Sequence, residues 1–219
     1  MTVKIHNLSQ QQSLFNQLIA EIRDKDIQQD SLRFRRNLER MGEIFAYEIS
    51  KQMDYQHKEV RTPLGKADCK VLKEQPVLAT ILRAGLPLHQ GFLNYFDQAE
   101  NTFISAYRKH HNGADEFEVE IEYLSSPSLD GKLVILSDPM LATGSSMVLA
   151  YKALLERGTP RHIHVVSVIA SEQGLTFTQN NLPDNITIWV GAVDAELTAR
   201  KYIVPGLGDA GDLAYGAKE

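Results

Sequence analysis

The segment LVILSDPMLATGSSM, residues 133–147, sets the fold class. Its first five residues, LVILS, are the apolar run of a buried strand, and Asp138 closes it. After a short loop, Thr143, Gly144, Ser145 and Ser146 open a helix, so backbone N–H groups and three hydroxyls converge at the positive end of a helix dipole. That point suits a phosphate. The pattern is not a Walker loop, because G-x-x-x-x-G-K-[ST] requires a second glycine and a lysine that are absent. Taken alone, TGSS is explained equally well by hydroxyl caps on a structural helix. The acid weighs against that simpler reading, because Asp138 stands at a strand end, where a carboxylate can accept hydrogen bonds from a ribose diol.

Outward from this segment the same alternation continues. VLATIL (77–82), TFISAY (102–107), IHVVSVIA (163–170) and ITIWVGAV (186–193) predict buried strands. Between them PLHQGFLNYF (87–96), SMVLAYKALLERG (146–158) and EQGLTFTQNN (172–181) predict helices, the second ending at Gly158 with Pro160 just beyond. Alternating strands and helices predict an α/β fold with a parallel sheet covered on both faces and a ligand crevice at the carboxyl ends of the strands. Before this core, Ser9 is placed as the cap of a helix carrying Leu14, Phe15, Leu18, Ile19 and Ile22 at helical spacing. A second helix between Asp30 and Met53 repeats Leu32, Leu38, Met41, Ile44, Phe45 and Ile49 in the same way. TPLG (62–65) marks a turn. The chain is therefore taken as one domain, 1–219, with an N-terminal helical arm (1–60), an α/β core (70–195) and a C-terminal segment (196–219).

One stretch breaks the pattern. Residues 108–123, RKHHNGADEFEVEIEY, place an Asn-Gly turn signal before alternating apolar and acidic residues, which predicts a projecting β-hairpin. Such a hairpin serves equally well as a lid over a site or as an ordinary edge with a solvated acidic face.

With 43% hydrophobic and 23% charged residues, the 219-residue chain has the composition of a globular protein. Its net charge of −5, with no basic block beyond RFRR at 33–36, argues against a nucleic-acid partner. No apolar run approaches the ~18 residues of a membrane span. The single cysteine, Cys69, cannot form an internal disulfide, and MTVKIHNLSQQQ lacks the apolar core of a signal peptide, so a cytoplasmic location is expected.

Several tempting motifs weaken on inspection. Gly206, Gly208 and Gly211 spell G-x-G-x-x-G, but only eight residues follow Gly211, too few for the helix and return strand of a dinucleotide fold. A lone arginine after an apolar strand, such as Arg83, is by itself best explained as a surface ion pair. Lys109, His110 and His111 on a polar loop read as solvated. His162 and His164 share one face of a strand but supply too few ligands, so no protein metal site is assigned.

Strand, acid, loop and helix with T-G-x-S form the phosphoribosyl-diphosphate motif of the type I phosphoribosyltransferases. DPMLATG (138–144), with Pro139 where most of that superfamily has a second acid, resembles the uracil phosphoribosyltransferase family in particular. ILRAGL (81–86), YR (107–108), LRFRRNLERMGE (32–43), TPLG (62–65) and YIVPGLGDAGD (202–212) resemble further segments of that family, in its order. The likeness covers nearly the whole chain. Two departures stand out: the family usually has ATGGS where this chain has ATGSS, and the lead-in IHNLS lacks a proline often found after the histidine. A Cβ at Ser145 is expected to weaken phosphate binding if that position needs close backbone approach or an unusual φ.

The resemblance implies a type I phosphoribosyltransferase fold whose C-terminal segment forms a hood over a pyrimidine. It implies conversion of uracil and 5-phospho-α-D-ribose 1-diphosphate to UMP and diphosphate, in pyrimidine salvage. Arg83 and Arg108 are the implied diphosphate ligands. Asp138, Pro139, Met140, Leu141, Ala142, Thr143, Gly144, Ser145 and Ser146 hold the sugar phosphate. Ile203, Gly208 and Ala210 read uracil with main-chain groups, and Asp209 faces the ribose and the reacting N1. Arg83, Arg108 and Asp209 are then the catalytic set, with Mg²⁺ brought in by the diphosphate. A homodimer or homotetramer and activation by GTP are also implied. Two alternatives stay open: an RNA-binding attenuation regulator of the same fold, and a phosphoribosyltransferase for another base.

Overall fold

A computed structural model describes residues 3–110 and 117–217, and for 106–110 and 117–120 it describes the backbone alone. In chain order the elements are β1 (Lys4–Asn7), α1 (Leu14–Arg23), α2 (Ser31–Ser50), β2 (Tyr55–Thr62), β3 (Gly65–Leu72), β4 (Val77–Leu82), α3 (Leu86–Leu93), β5 (Glu100–His110) and β6 (Phe117–Ser125). There follow β7 (Leu133–Ser137), β8 (Met140–Leu141), α4 (Ser145–Leu155), β9 (His162–Ser171), α5 (Glu172–Asn181), β10 (Ile186–Asp194), β11 (Glu196–Leu197), β12 (Ile203–Val204) and α6 (Ala210–Tyr215).

The main sheet runs β1-β10-β9-β7-β4-β5-β6, with β8 paired to β9. All its pairs are parallel except β5 with β6. The expected α/β architecture is therefore present. Its central strands are continuous apolar runs because helices cover both faces. Leu78, Ile135, Val166 and Val168 point toward α1, α2 and α3, where Phe15, Phe34, Leu38, Phe45 and Phe92 complete one core. Their strand neighbours Val77, Ala79, Val134, Leu136 and Val165 face the other way and pack with Met147, Val148, Ala150 and Leu154 of α4. Strand order reverses at β4, which has β5 on one side and β7 on the other. At such a switch point the loops leaving two neighbouring strands separate and open a crevice at their carboxyl ends.

Several elements differ from the sequence reading. Ser13, not Ser9, caps α1, accepting a bond from the Phe15 amide. Ser9 lies in a 3₁₀ turn and donates its hydroxyl to Asn7 Oδ1 at 2.9 Å. β1 was not anticipated, because KIHN is short and polar; it becomes a strand by pairing with the edge of β10, with His6 stacked on Trp189 at 4.1 Å. The TPLG turn joins a full antiparallel hairpin, β2–β3, registered from Tyr55↔Leu72 to Thr62↔Gly65. Its residues are mostly exposed and so carry no apolar alternation. The hairpin expected at 108–123 is β5–β6, but its turn, including His111, lies outside the described residues. Among the described residues no helix is long and apolar enough to cross a membrane.

Candidate active site

Three chain segments meet at the carboxyl end of the sheet. The first leaves β4 at Arg83. The guanidinium Nη2 donates to Asp212 Oδ1 at 3.2 Å and to the Gly216 carbonyl at 3.0 Å. Its Nε is buried without a hydrogen-bond partner among the described residues. The surface ion pair that the simpler reading of Arg83 foresaw is thus present, and its partner lies in the C-terminal segment.

The second segment leaves β7. The Asp138 amide donates to the Val166 carbonyl at 3.0 Å, and Asp138 Oδ1 accepts from the Met140 amide at 3.4 Å. Pro139 O accepts from both Val168 N and Ile169 N at 3.0 Å, which fastens the loop to β9. Met140 and Leu141 form β8, and the Leu141 side chain is buried in the core. The Ala142 carbonyl accepts from Ser171 Oγ at 2.5 Å. Pro139, Leu141 and Ala142 thus each help to fasten the loop to the sheet and its core.

At the start of α4, Thr143 Oγ1 donates to Ser145 Oγ at 3.2 Å and accepts from the Ser145 amide at 3.4 Å. The N-cap residue is Gly144, which has no side chain to cap the helix. Gly144 has φ +81°, and a Cβ there would lie 2.5 Å from Thr178 Oγ1 and 2.8 Å from the Gly174 carbonyl. The demand for glycine thus falls on Gly144. Ser145 is the first residue of the helix and has no left-handed φ, so the backbone penalty expected for its Cβ does not arise there. A cleft of about 700 Å³ opens beside Thr143 and Ser145, walled by Glu172, Gln173 and Thr176 of α5. These α5 residues were not anticipated, although their position directly after buried β9 is a signal of the same kind that singled out Asp138.

The third segment is residues 196–216. β11 pairs with β12 through Leu197↔Ile203, and Ile203 is buried. Gly206 and Gly208 take φ +54° and +93°; no heavy atom lies within 4 Å of a Cβ placed on Gly208, so its conformation rather than its packing selects glycine. Asp209 Oδ1 accepts from the Gly211 amide at 2.8 Å and the Asp212 amide at 3.0 Å, capping α6, and Ala210 begins that helix. A buried ion pair supports the turn: Arg23 Nη2 and Nη1 reach Asp194 Oδ1 and Oδ2, and both partners also bond Gly206. Arg35 Nη1 donates to the Ala214 carbonyl at 2.6 Å and lies over the Tyr215 ring.

Arg108 lies in β5 opposite Val119, and its side chain is outside the described residues, as are those of Lys109 and His110. His162 and His164 start β9, at the other end of that strand from the site, with ring centroids 4.6 Å apart. Trp189 Nε1 donates to His164 Nδ1 at 3.1 Å. Burial, reinforced by His162 and His6, holds the His164 pKa down to about 3.

Comparison with known proteins places this geometry in context. A family model described as uracil phosphoribosyltransferase matches residues 9–217. A protein of Porphyromonas gingivalis named uracil phosphoribosyltransferase is 57% identical over 216 residues, covering 99% of this chain and all of the relative. A Pyrococcus furiosus protein of the same name is 37% identical over 203 residues, covering 91% of this chain and 85% of the relative. A solved protein structure from Aquifex aeolicus superposes with a TM-score of 0.85 at 32% identity, covering 97% of this chain and 98% of that one.

Proposed function

The chain belongs to the uracil phosphoribosyltransferase family, and we propose that it joins uracil to 5-phospho-α-D-ribose 1-diphosphate, releasing UMP and diphosphate. One observation carries the assignment of residues: Arg83, at the end of β4, contacts Asp212 of the C-terminal segment at 3.2 Å. The segment assigned to the leaving group and the segment assigned to the base thus border one site beside the switch point of the sheet.

In this reading the α4 N-terminus with Thr143, Ser145 and Ser146 takes the 5-phosphate, because a first turn whose N-cap is glycine offers amide donors and a favourable dipole. Asp138 accepts from the ribose hydroxyls. Arg83 and Arg108 take the diphosphate; a guanidinium suits that task because it stays charged and presents a fork of donors to paired oxygens. The C1′–diphosphate bond breaks as uracil N1 bonds to C1′, with positive charge spread over the ribose ring. The arginines stabilise the departing anion, and Asp209 lies on the base side to accept the N1 proton or orient the ring.

Main-chain groups of Ile203, Gly208 and Ala210 read the acceptor-donor-acceptor edge of uracil. Cytosine reverses part of that edge and leaves buried groups unpaired, at about 1–3 kcal/mol each. A purine is too large for a hood shaped to one ring. Mg²⁺ is assigned to the substrate diphosphate, which suits a partly hydrated ion with few protein ligands. The same reading extends to a cytoplasmic homodimer or homotetramer activated by GTP, which sedimentation and a GTP titration of the rate test.

The deciding experiment is UMP formation from uracil in parallel with cytosine, orotate and hypoxanthine, for the intact chain and for Arg83→Ala. Turnover of uracil alone, lost in the variant, is the expected result. Binding of the sugar diphosphate with no turnover of any base would overturn the reading in favour of a regulator.

A further inference from the structure

Arg83 is already occupied, and what occupies it is an acid from the opposite side of the site. Its Nη2 is shared between Asp212 Oδ1 and the Gly216 carbonyl, while its Nε is buried without a partner among the described residues. Asp212 stands in the first turn of α6, and its amide is held by Asp209 Oδ1 at 3.0 Å. One turn of helix thus carries both the acid assigned to the base and the counter-ion of the arginine assigned to the leaving group. The two charged side chains are 36% and 41% exposed, the setting in which an ion pair is weak and easily exchanged. A diphosphate offers the same guanidinium paired oxygens carrying more charge, and hence a stronger, forked interaction.

We propose that Asp212 is a positioning residue that holds Arg83 in place of the leaving group: diphosphate displaces the carboxylate, and loading of the sugar substrate thereby releases α6 from the β4 loop. This rests on the assignment of Arg83 to the diphosphate. Through the shared turn, occupancy of the diphosphate subsite is coupled to the setting of Asp209 and the hood. Asp212 then tunes the affinity for diphosphate without contacting the reacting atoms.

The test is calorimetric titration of inorganic diphosphate, with Mg²⁺, into the intact chain, into Asp212→Asn, Asp212→Glu and Arg83→Ala, and into the double variant Arg83→Ala/Asp212→Asn. Removing an exposed competing charge is expected to tighten diphosphate binding by about two- to fivefold in Asp212→Asn. Asp212→Glu restores the original affinity, and in the Arg83→Ala background Asp212→Asn changes nothing. A role confined to stability would shift the thermal midpoint of Asp212→Asn without tightening diphosphate. Unchanged or weaker binding by Asp212→Asn, with the intact chain binding normally, overturns the inference alone. If the intact chain turns over uracil but Arg83→Ala binds diphosphate as well as it does, the assignment of Arg83 fails and takes the inference with it.

Discussion

Arg23 and Asp194 are joined by two parallel bonds, 2.7 Å and 2.8 Å long, and each also holds Gly206: Arg23 through the Gly206 carbonyl at 3.0 Å and Asp194 through the Gly206 amide at 3.0 Å. Three distant parts of the chain, the end of α1, the end of β10 and the hood turn, are fixed by one four-bond cluster.

Truncating one partner strands a charge that is mostly buried, since Asp194 is 7% and Arg23 20% exposed. For Arg23→Met we expect a loss of about 3 kcal/mol, the low end of the cost of breaking a buried pair, measured by urea unfolding. Because the cluster orients the hood and not the α4 loop, KM for uracil should rise while KM for the sugar diphosphate changes little. Equal rises in both would show that the pair supports the fold in general.

Gly144→Ala is expected to destabilise by about 1–3 kcal/mol, because a non-glycine residue would take φ +81° with its Cβ 2.5 Å from Thr178 Oγ1. The α4 N-terminus must shift to accept it, so KM for the sugar diphosphate should rise. Ser145→Gly relieves no such strain, and its steady-state constants should stay close to those of the intact chain. Comparing the two variants by thermal melts and steady-state kinetics separates the two positions.

The contrast between Gly144 and Ser145 also shows where sequence reading stops. The motif placed a strand, an acid, a short loop and a helix start in that order, and β7, Asp138 and α4 follow it. It could not say which of two neighbouring positions demands glycine, because that demand comes from a φ of +81° and from the approach of Thr178 and Gly174 of α5 at Gly144. The strands of the core were legible because their apolar runs are unbroken. β1 and the β2–β3 hairpin were not, because KIHN and YQHKEVRT owe their conformation to pairing rather than to burial. Asp212 was quoted with the C-terminal motif, but nothing in the sequence tied it to Arg83, 129 residues earlier.

Stability should fall on mild acidification, and His164 should account for part of the fall. Its folded pKa of about 3 lies below the ordinary 6.5, chiefly through burial. Below pH 6.5 the unfolded chain gains a proton that the folded chain refuses, so the stabilisation from the neutral ring is present at pH 7 and is lost as pH falls toward 3. His6, His89 and His162 are shifted the same way by burial; Lys4 and Arg161 add to the depression at His6 and His162, and Glu48 opposes it at His6. For His164 alone the loss between pH 7 and pH 5 is about 2 kcal/mol. Urea unfolding at the two pH values should show a smaller drop for His164→Gln, which keeps an acceptor for Trp189 but cannot take up the proton.

In the proposed reaction Asp209 has two separable duties. Its Oδ1 caps α6 by accepting from the Gly211 and Asp212 amides, and in the proposed reaction its charge serves the base. Asparagine caps a helix about as well as aspartate, whereas alanine forfeits about 1 kcal/mol. Asp209→Asn should therefore melt close to the intact chain, and Asp209→Ala clearly below it. If the carboxylate accepts a proton or orients N1, kcat falls in both variants by about a hundredfold, the lower end of what a positioned acid or base contributes. An Asp209→Asn variant with both its melting point and its kcat intact would reduce Asp209 to a helix cap. Recognition of uracil would then rest on the main chain of the hood alone, and the rate would come from Arg83, Arg108 and the phosphate loop.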